Sequence, residues 1–274
     1  MSFADIASRL AGRTFGLAQR CIPRSVPGVT TLAYHLVEGR TGLAVDVPTA
    51  QFREQLDALT ETAKVVSLDE AVAVLASGSL PAVRLAVITF DDACLNFYEQ
   101  ALPILREYSL PSMLYVPVGY VNRTSGSPFK YLTEPLLEPM AWDQLAEVAH
   151  DGRTSIGSHT YSHLDLRELS VGQVESEFRD SKAELEQRLQ VEVDSLCYPA
   201  SLVTLQVKAL AQRWYRTAVV GGGKVVRPGS WDPLMLPRVS MRKEMDGEAM
   251  VRLLNTSVWL EERGRHALRG LRGY

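Results

Sequence analysis

Leu85-Ala86-Val87-Ile88-Thr89-Phe90-Asp91-Asp92-Ala93-Cys94 is the stretch on which the fold turns. Its apolar run suits a strand buried on both faces, as in a parallel sheet. Packing gives no reason for such a strand to end in two adjacent aspartates. Two ionised carboxylates repel, and each loses hydration at the mouth of a core. A cation or a shared proton resolves the conflict, which makes Asp91 and Asp92 the first site candidates. The plain structural alternative is a polar strand end in which Asp92 caps the next helix.

Working outward, strand and helix signals alternate on both sides. Upstream, Val29–Val37 reads as a strand ending near Tyr34-His35. Thr49–Thr62 has helical spacing at Phe52, Leu56 and Leu59, and Ser67-Leu68-Asp69-Glu70 reads as a capping box that opens a second helix. Downstream, a helix over Asn96–Tyr108 must start late or kink, because Pro103 lies inside it. Strands follow at Pro111–Val118, Thr154–His159, Val193–Tyr198, Arg216–Val220 and Leu234–Val239. Helices lie between them at Ala141–His150, from Ser170 through Leu189, and at Val203–Trp214, with a last one at Glu244–Glu262. Asn122–Pro139 reads as a long loop over the site.

About seven βα units without a break in composition predict one parallel barrel domain. Its bounds are set at 28–262, between an N-terminal extension at 1–27 and a basic tail at 263–274. In such a barrel the strand C-terminal ends gather on one face and build the site. His35, Asp91, Asp92, His159, His163, Tyr198-Pro199 and Arg238 all fall at strand C-terminal ends.

Composition is that of an ordinary globular protein, with 274 residues, 46% hydrophobic, 22% charged and a net charge of −3. Acidic and basic residues are mixed, so no nucleic-acid partner is expected. Three cysteines without regular spacing fit a reducing compartment, and the first residues carry no continuous apolar secretory core. A cytoplasmic location is therefore expected. Phe3, Ile6, Leu10 and Phe15 against Arg9, Arg13 and Arg20 would suit an interfacial helix on a membrane. The preferred reading is a surface helix packed on the barrel or on a second copy of the chain in a homodimer.

His159 and His163 stand four residues apart, and one helical turn would put both on one face. With Asp92 they form a set of two imidazoles and one carboxylate, which leaves coordination positions open for water and substrate. The same set suits zinc, iron or cobalt. The adjacent Asp91 is then free to take a proton from water.

Thr89-Phe90-Asp91-Asp92 resembles the first motif of the polysaccharide deacetylases, carbohydrate esterase family four. Ser158-His159-Thr160-x-x-His163-x-x-Leu166 resembles their second motif, and Cys197-Tyr198-Pro199 a variant of the third. Leu32-Ala33-Tyr34-His35 and Leu236-Pro237-Arg238-Val239 are similar to one branch of that family. The resemblance implies a deformed (β/α)7 barrel, TIM-barrel-like, that removes acetyl groups from N-acetylated sugars. It implies that Asp92, His159 and His163 hold a divalent metal, zinc first, with cobalt, iron or nickel as others. It makes Asp91 the base, Arg238 its orienting partner and the Ala200 N–H an oxyanion donor. Tyr34, Tyr198, Pro199 and Ala200 fall on the substrate side.

Some positions depart from the pattern. Ala93 stands where the family has Gly, followed by Cys94, and Ala200-Ser201 replaces an aromatic-Gly pair. The only histidine after the last strand is His266, so the acid that protonates the leaving amine is unassigned and His35 is the candidate. Cys94 and Cys197 read as small buried residues. The expected substrate is an N-acetyl group on a sugar, a glycoconjugate or a small biosynthetic intermediate. The alternatives are a metal-free amidohydrolase acting on a cyclic amide and a catalytically degenerate barrel that binds a partner.

Overall fold

In the computed structural model, residues 27–129, 137–223 and 225–255 are described. The strands are β1 (Val29–Tyr34), β2 (Leu36–Val37), β3 (Asp46–Val47), β4 (Lys64–Val65), β5 (Leu85–Phe90), β6 (Ser112–Val116), β7 (Thr154–Ser158), β8 (Ser195–Cys197), β9 (Thr217–Gly221) and β10 (Leu236–Ser240). The helices are α1 (Thr49–Thr62), α2 (Leu68–Ala76), α3 (Leu102–Glu107), α4 (Val118–Val121), α5 (Trp142–Ala149), α6 (Val171–Leu189), α7 (Leu205–Ala211) and α8 (Gly247–Asn255). Seven parallel strands run in the order β1-β10-β9-β8-β7-β6-β5, and β5 pairs back onto β1 to close the barrel. The short β4 pairs with the start of β5, and β6 pairs with its end. This is the parallel barrel that the alternating pattern predicts, in the deformed (β/α)7 form that the resemblance implies.

All six residues of β5 are buried, as a run with both faces covered requires. The two faces serve different layers. Val87 of β5 packs inside the barrel with Val29, Met113, Tyr115, Cys197, Val219 and Leu236, and Leu68, Ala71 and Leu75 of α2 join this cluster. Ala86, Ile88 and Phe90 face outward with Leu32, Tyr34, Leu196 and Tyr198 against α1, α6 and their neighbours. Because side chains alternate along a strand, face is fixed by parity. Thr89 and Asp91 continue the inward series of Val87.

The inward face of β7 is kept free for a large neighbour. A Cβ at Gly157 would lie 2.5 Å from two ring atoms of Tyr115 and 3.1 Å from the Ser195 carbonyl. Tyr115 is fully buried and its hydroxyl is tied to the Ser195 hydroxyl at 2.9 Å, so the ring has nowhere to go. Gly157→Ala is expected to destabilise the protein by about 1–3 kcal/mol through overpacking. Urea denaturation measures this, and an unchanged midpoint would mean that the ring can move aside.

Local details follow from single residues. Pro103 is accommodated by a π-helical stretch, Phe97–Ala101, after which α3 restarts with the proline in its first turn. Ser67 caps α2 by accepting from the Glu70 N–H, while the Glu70 side chain pairs with Lys64 instead of closing the box. Ser170 and Gln173 form the full reciprocal capping box on α6. The expected single strand over Val29–Val37 is broken at His35 into β1 and β2. The expectations for the N-terminal extension, the tail and the end of the last helix fall outside the described residues, apart from Pro27. Among the described residues, no helix is long and apolar enough to cross a membrane.

Candidate active site

Parity brings the chemistry to one place. His35, Asp91, His159, Cys197 and Arg238 all belong to the inward series of their strands, at the C-terminal mouth of the barrel. Tyr34 and Tyr198 belong to the outward series. Tyr34 is fully buried between Phe52 and Phe90, with its hydroxyl donating to Gln55 at 3.0 Å. It packs the layer under α1 and offers no surface to a substrate, which corrects the expectation for it. Tyr198 and Pro199 are buried too, so in this third turn it is Ala200 that is exposed at the mouth.

Asp91 and Arg238 form a buried bidentate pair, with both N–O distances 2.7 Å. The same guanidinium donates to Thr89 Oγ1 at 2.9 Å, contacts Cys197 Sγ at 3.0 Å and lies over the Tyr115 ring at 5.5 Å. Burial pushes the Asp91 carboxyl up, but the Arg238 charge and its hydrogen bonds outweigh burial and hold it well below the usual carboxylate range. Asp91 is therefore an anion fixed in place. His35 Nε2 lies 3.8 Å from Asp91 Oδ2, and burial pushes its imidazole down to about 4. It is neutral near pH 7.

Asp92 has the opposite environment. Its Oδ1 is buried and has no hydrogen-bond partner among the described residues. His159 Nε2 and His163 Nε2 lie 3.6 and 3.7 Å from it, too far for hydrogen bonds. Burial first, and then the Asp91 charge, push the Asp92 carboxyl well above its ordinary value. His159 Nδ1 lies 2.8 Å from the Cys197 carbonyl, which can only accept. Nδ1 therefore carries the proton, and the Nε2 lone pair faces Asp92. One carboxylate oxygen and two imidazole nitrogens, all within 4.8 Å of one another, fit a divalent cation that would neutralise the stranded carboxylate.

The histidines do not meet on a helical turn, as the four-residue spacing predicts. They lie on a loop with Thr160 at φ 64° and His163 at φ 52°. Left-handed residues also follow β5, with Asp92 at 76° and Ala93 at 48°, and follow β8, with Ala200 at 50° and Ser201 at 61°. These are non-glycine residues held in a costly region, clustered in the three turns that carry the site. The resemblance puts Gly where Ala93 stands, and the positive φ is the physical reason for a glycine there.

Sequence reasoning missed what clamps the histidine loop. Glu177 of α6 accepts from the Tyr161 and Ser162 N–H groups at 2.9 and 2.7 Å through a single oxygen. One turn on, the Ser181 hydroxyl bonds that of Ser158 at 2.7 Å, and Ser158 Oγ accepts from the Thr160 N–H at 3.1 Å. On the other side, the Gly119 N–H donates to the Tyr161 carbonyl at 2.7 Å. The available signal was spacing alone, since Glu177 and Ser181 stand four apart on one face of their helix. Glu177→Ala is expected to weaken metal binding roughly 10–100-fold, as loss of a ligand-orienting partner does elsewhere. Competition against a chromophoric chelator measures it, and unchanged affinity in the folded variant would show that the loop holds without Glu177.

A closed parallel barrel with an aspartate pair after one strand and a histidine pair after another is the arrangement that the resemblance to the deacetylases implies. A profile described as polysaccharide deacetylase matches residues 81–219, about half of the chain, and the chain belongs to that family. It is 27% identical over 190 residues to YxkH of Bacillus subtilis (strain 168), whose name also places it among the polysaccharide deacetylases. That match covers 69% of this chain, and the chain spans 62% of the length of YxkH. It is 26% identical over 219 residues to the poly-beta-1,6-N-acetyl-D-glucosamine N-deacetylase of Staphylococcus epidermidis, covering 72% of this chain and 71% of that protein. Among solved structures, the Streptococcus pyogenes deacetylase PplD in complex with acetate superposes with a TM-score of 0.72 at 23% identity, over 85% of this chain and 100% of PplD. IcaB from Ammonifex degensii gives 0.71 at 22% identity, over 86% and 100%. Those two structures share the fold.

Proposed function

We propose that this protein is a metal-dependent hydrolase that removes the acetyl group from an N-acetylated amino sugar. The observation that carries the proposal is the stranded Asp92 carboxylate between two imidazoles, beside a second carboxylate kept ionised by Arg238. The name of the Staphylococcus epidermidis relative supports an N-acetylglucosamine unit as the substrate class.

Asp92, His159 and His163 would hold the ion, with zinc the first expectation from the donor set. When bound, a divalent ion polarises the amide carbonyl and lowers the pKa of water to about 7. The chain supplies the rest. Asp91, pinned by two Arg238 hydrogen bonds, accepts the proton of the attacking water. His35 is neutral, and its Nε2 lies 3.8 Å from Asp91 Oδ2, beyond direct hydrogen-bond reach, so a water between them would have to relay that proton to His35 for delivery to the nitrogen of the leaving amine. The Ala200 N–H, after buried Pro199, donates to the developing oxyanion. Buried side chains around the pair keep water from competing for Asp91.

The test is acetate release from N-acetylglucosamine, chitooligosaccharides and β-1,6-linked oligomers, with bound metal quantified on protein purified without chelator. Activity should accompany about one bound ion per chain, vanish with chelator and return with added zinc or cobalt. Acetate release that survives complete removal of the metal would overturn the reading, as would a fully loaded protein inactive on every acetylated sugar.

A further inference from the structure

Among the described residues, two donor triads meet at the mouth of the barrel. Asp92, His159 and His163 form the first, and Asp91, His159 and Cys197 form the second, each with its ligand atoms within 4.8 Å of one another. They share His159 Nε2, which lies 3.6 Å from Asp92 Oδ1 and 3.8 Å from Cys197 Sγ. One lone pair binds one ion, so the triads compete for a single metal. On donor chemistry alone the second triad is the stronger trap for zinc, cobalt or cadmium, because it offers a thiol. It would also remove Asp91 from proton transfer.

We propose that Arg238 is a resident cation that keeps Cys197 and Asp91 out of the metal's ligand set. Its Nη2 already sits on both ligand atoms, 2.7 Å from Asp91 Oδ2 and 3.0 Å from Cys197 Sγ, and its Nη1 takes the other Asp91 oxygen at 2.7 Å. The guanidinium is 4% exposed and anchored further by Thr89 and by the Tyr115 ring. A divalent ion entering between Asp91 and Cys197 would have to displace this group or face its charge at contact distance. The open triad receives the ion by default, and Asp91 stays free as a base. The inference rests on the proposed metal set of Asp92, His159 and His163.

Cobalt(II) titration under anaerobic conditions, without added thiol, tests it. Wild-type protein should bind about one equivalent and show no thiolate-to-cobalt charge-transfer band. Cys197→Ser should give the same stoichiometry and the same visible spectrum. Arg238→Met should still bind about one equivalent but acquire the intense near-ultraviolet band, and the band should vanish in Arg238→Met combined with Cys197→Ser. A charge-transfer band in the wild type, or a cobalt spectrum altered by Cys197→Ser, overturns the proposal. So does a folded, loaded Arg238→Met protein without the band. If Arg238→Met does not fold, Arg238→Gln, which keeps a hydrogen-bond donor without the charge, takes its place in the same titration, and a folded, loaded Arg238→Gln protein without the band overturns the proposal. A wild type that binds no cobalt at all overturns the underlying metal assignment, an outcome distinct from the others.

Discussion

Asp91→Asn is expected to lower kcat by about 10²–10⁴-fold, the usual contribution of a positioned general base. The amide has nearly the same shape and still offers Arg238 an oxygen, so the turn after β5 should persist. It cannot take a proton from water at neutral pH. Asp92, His159 and His163 are untouched, and metal content should remain near one ion per chain. The variant should also be less stable, because it leaves the 4%-exposed Arg238 guanidinium without its counter-ion. Breaking a buried pair from one side typically costs about 3–5 kcal/mol, and the retained oxygen should keep the loss toward the lower figure. Steady-state kinetics, metal analysis and urea denaturation read the three effects separately. Full turnover in a metal-loaded Asp91→Asn protein would remove Asp91 from the role of base. A loss of metal equal to the loss of activity would move Asp91 into the ligand set.

The barrel was legible in the sequence, and so was the gathering of most candidate residues at its mouth, because both depend on local patterns. A both-faces-buried strand such as Leu85–Phe90 needs an unbroken apolar run, and a barrel places strand ends together whatever the intervening loops do. A substrate-side Tyr34 conflicts with the same local rules. Side chains alternate along a strand, so Tyr34 shares the face of Leu32, while His35 shares the inward face of Thr31. What could not be read was backbone conformation in the turns. His159 and His163 sit four apart, but it is left-handed Thr160 and His163, not a helical turn, that aim them at Asp92. The Arg238–Cys197 contact and the Glu177–Tyr161 clamp join residues 41 and 16 positions apart, with no motif linking them. Such partners become visible only when register is known.

Asp92→Asn should separate stability from function in the opposite sense. In chelator, the wild type carries a buried carboxylate whose Oδ1 has no hydrogen-bond partner among the described residues, next to the Asp91 anion. Neutralising it removes that repulsion and much of the desolvation cost of an ionised carboxylate. The backbone does not resist the change, since Asp92 has φ 76° and asparagine is among the residues that best tolerate the left-handed region. Metal-free Asp92→Asn is therefore expected to melt above metal-free wild type, by roughly 4–8 °C per kcal/mol for a small domain and about half that for one of this size. Saturating zinc should reverse the order. The wild type gains stability with each increment of ligand over its dissociation constant, about 2.7 kcal/mol at a hundredfold excess, whereas the variant has lost its only anionic ligand in the triad. Thermal melts with chelator and with zinc form the comparison. If metal-free Asp92→Asn is the less stable protein, Asp92 is serving the fold, and the stranded carboxylate is no longer an argument for a cation. If the variant is stabilised by zinc as strongly as the wild type, the ion is held elsewhere. The expected crossing, with the variant ahead when metal-free and the wild type ahead when loaded, would mean that this strand end is built at the expense of stability for the ion that completes it.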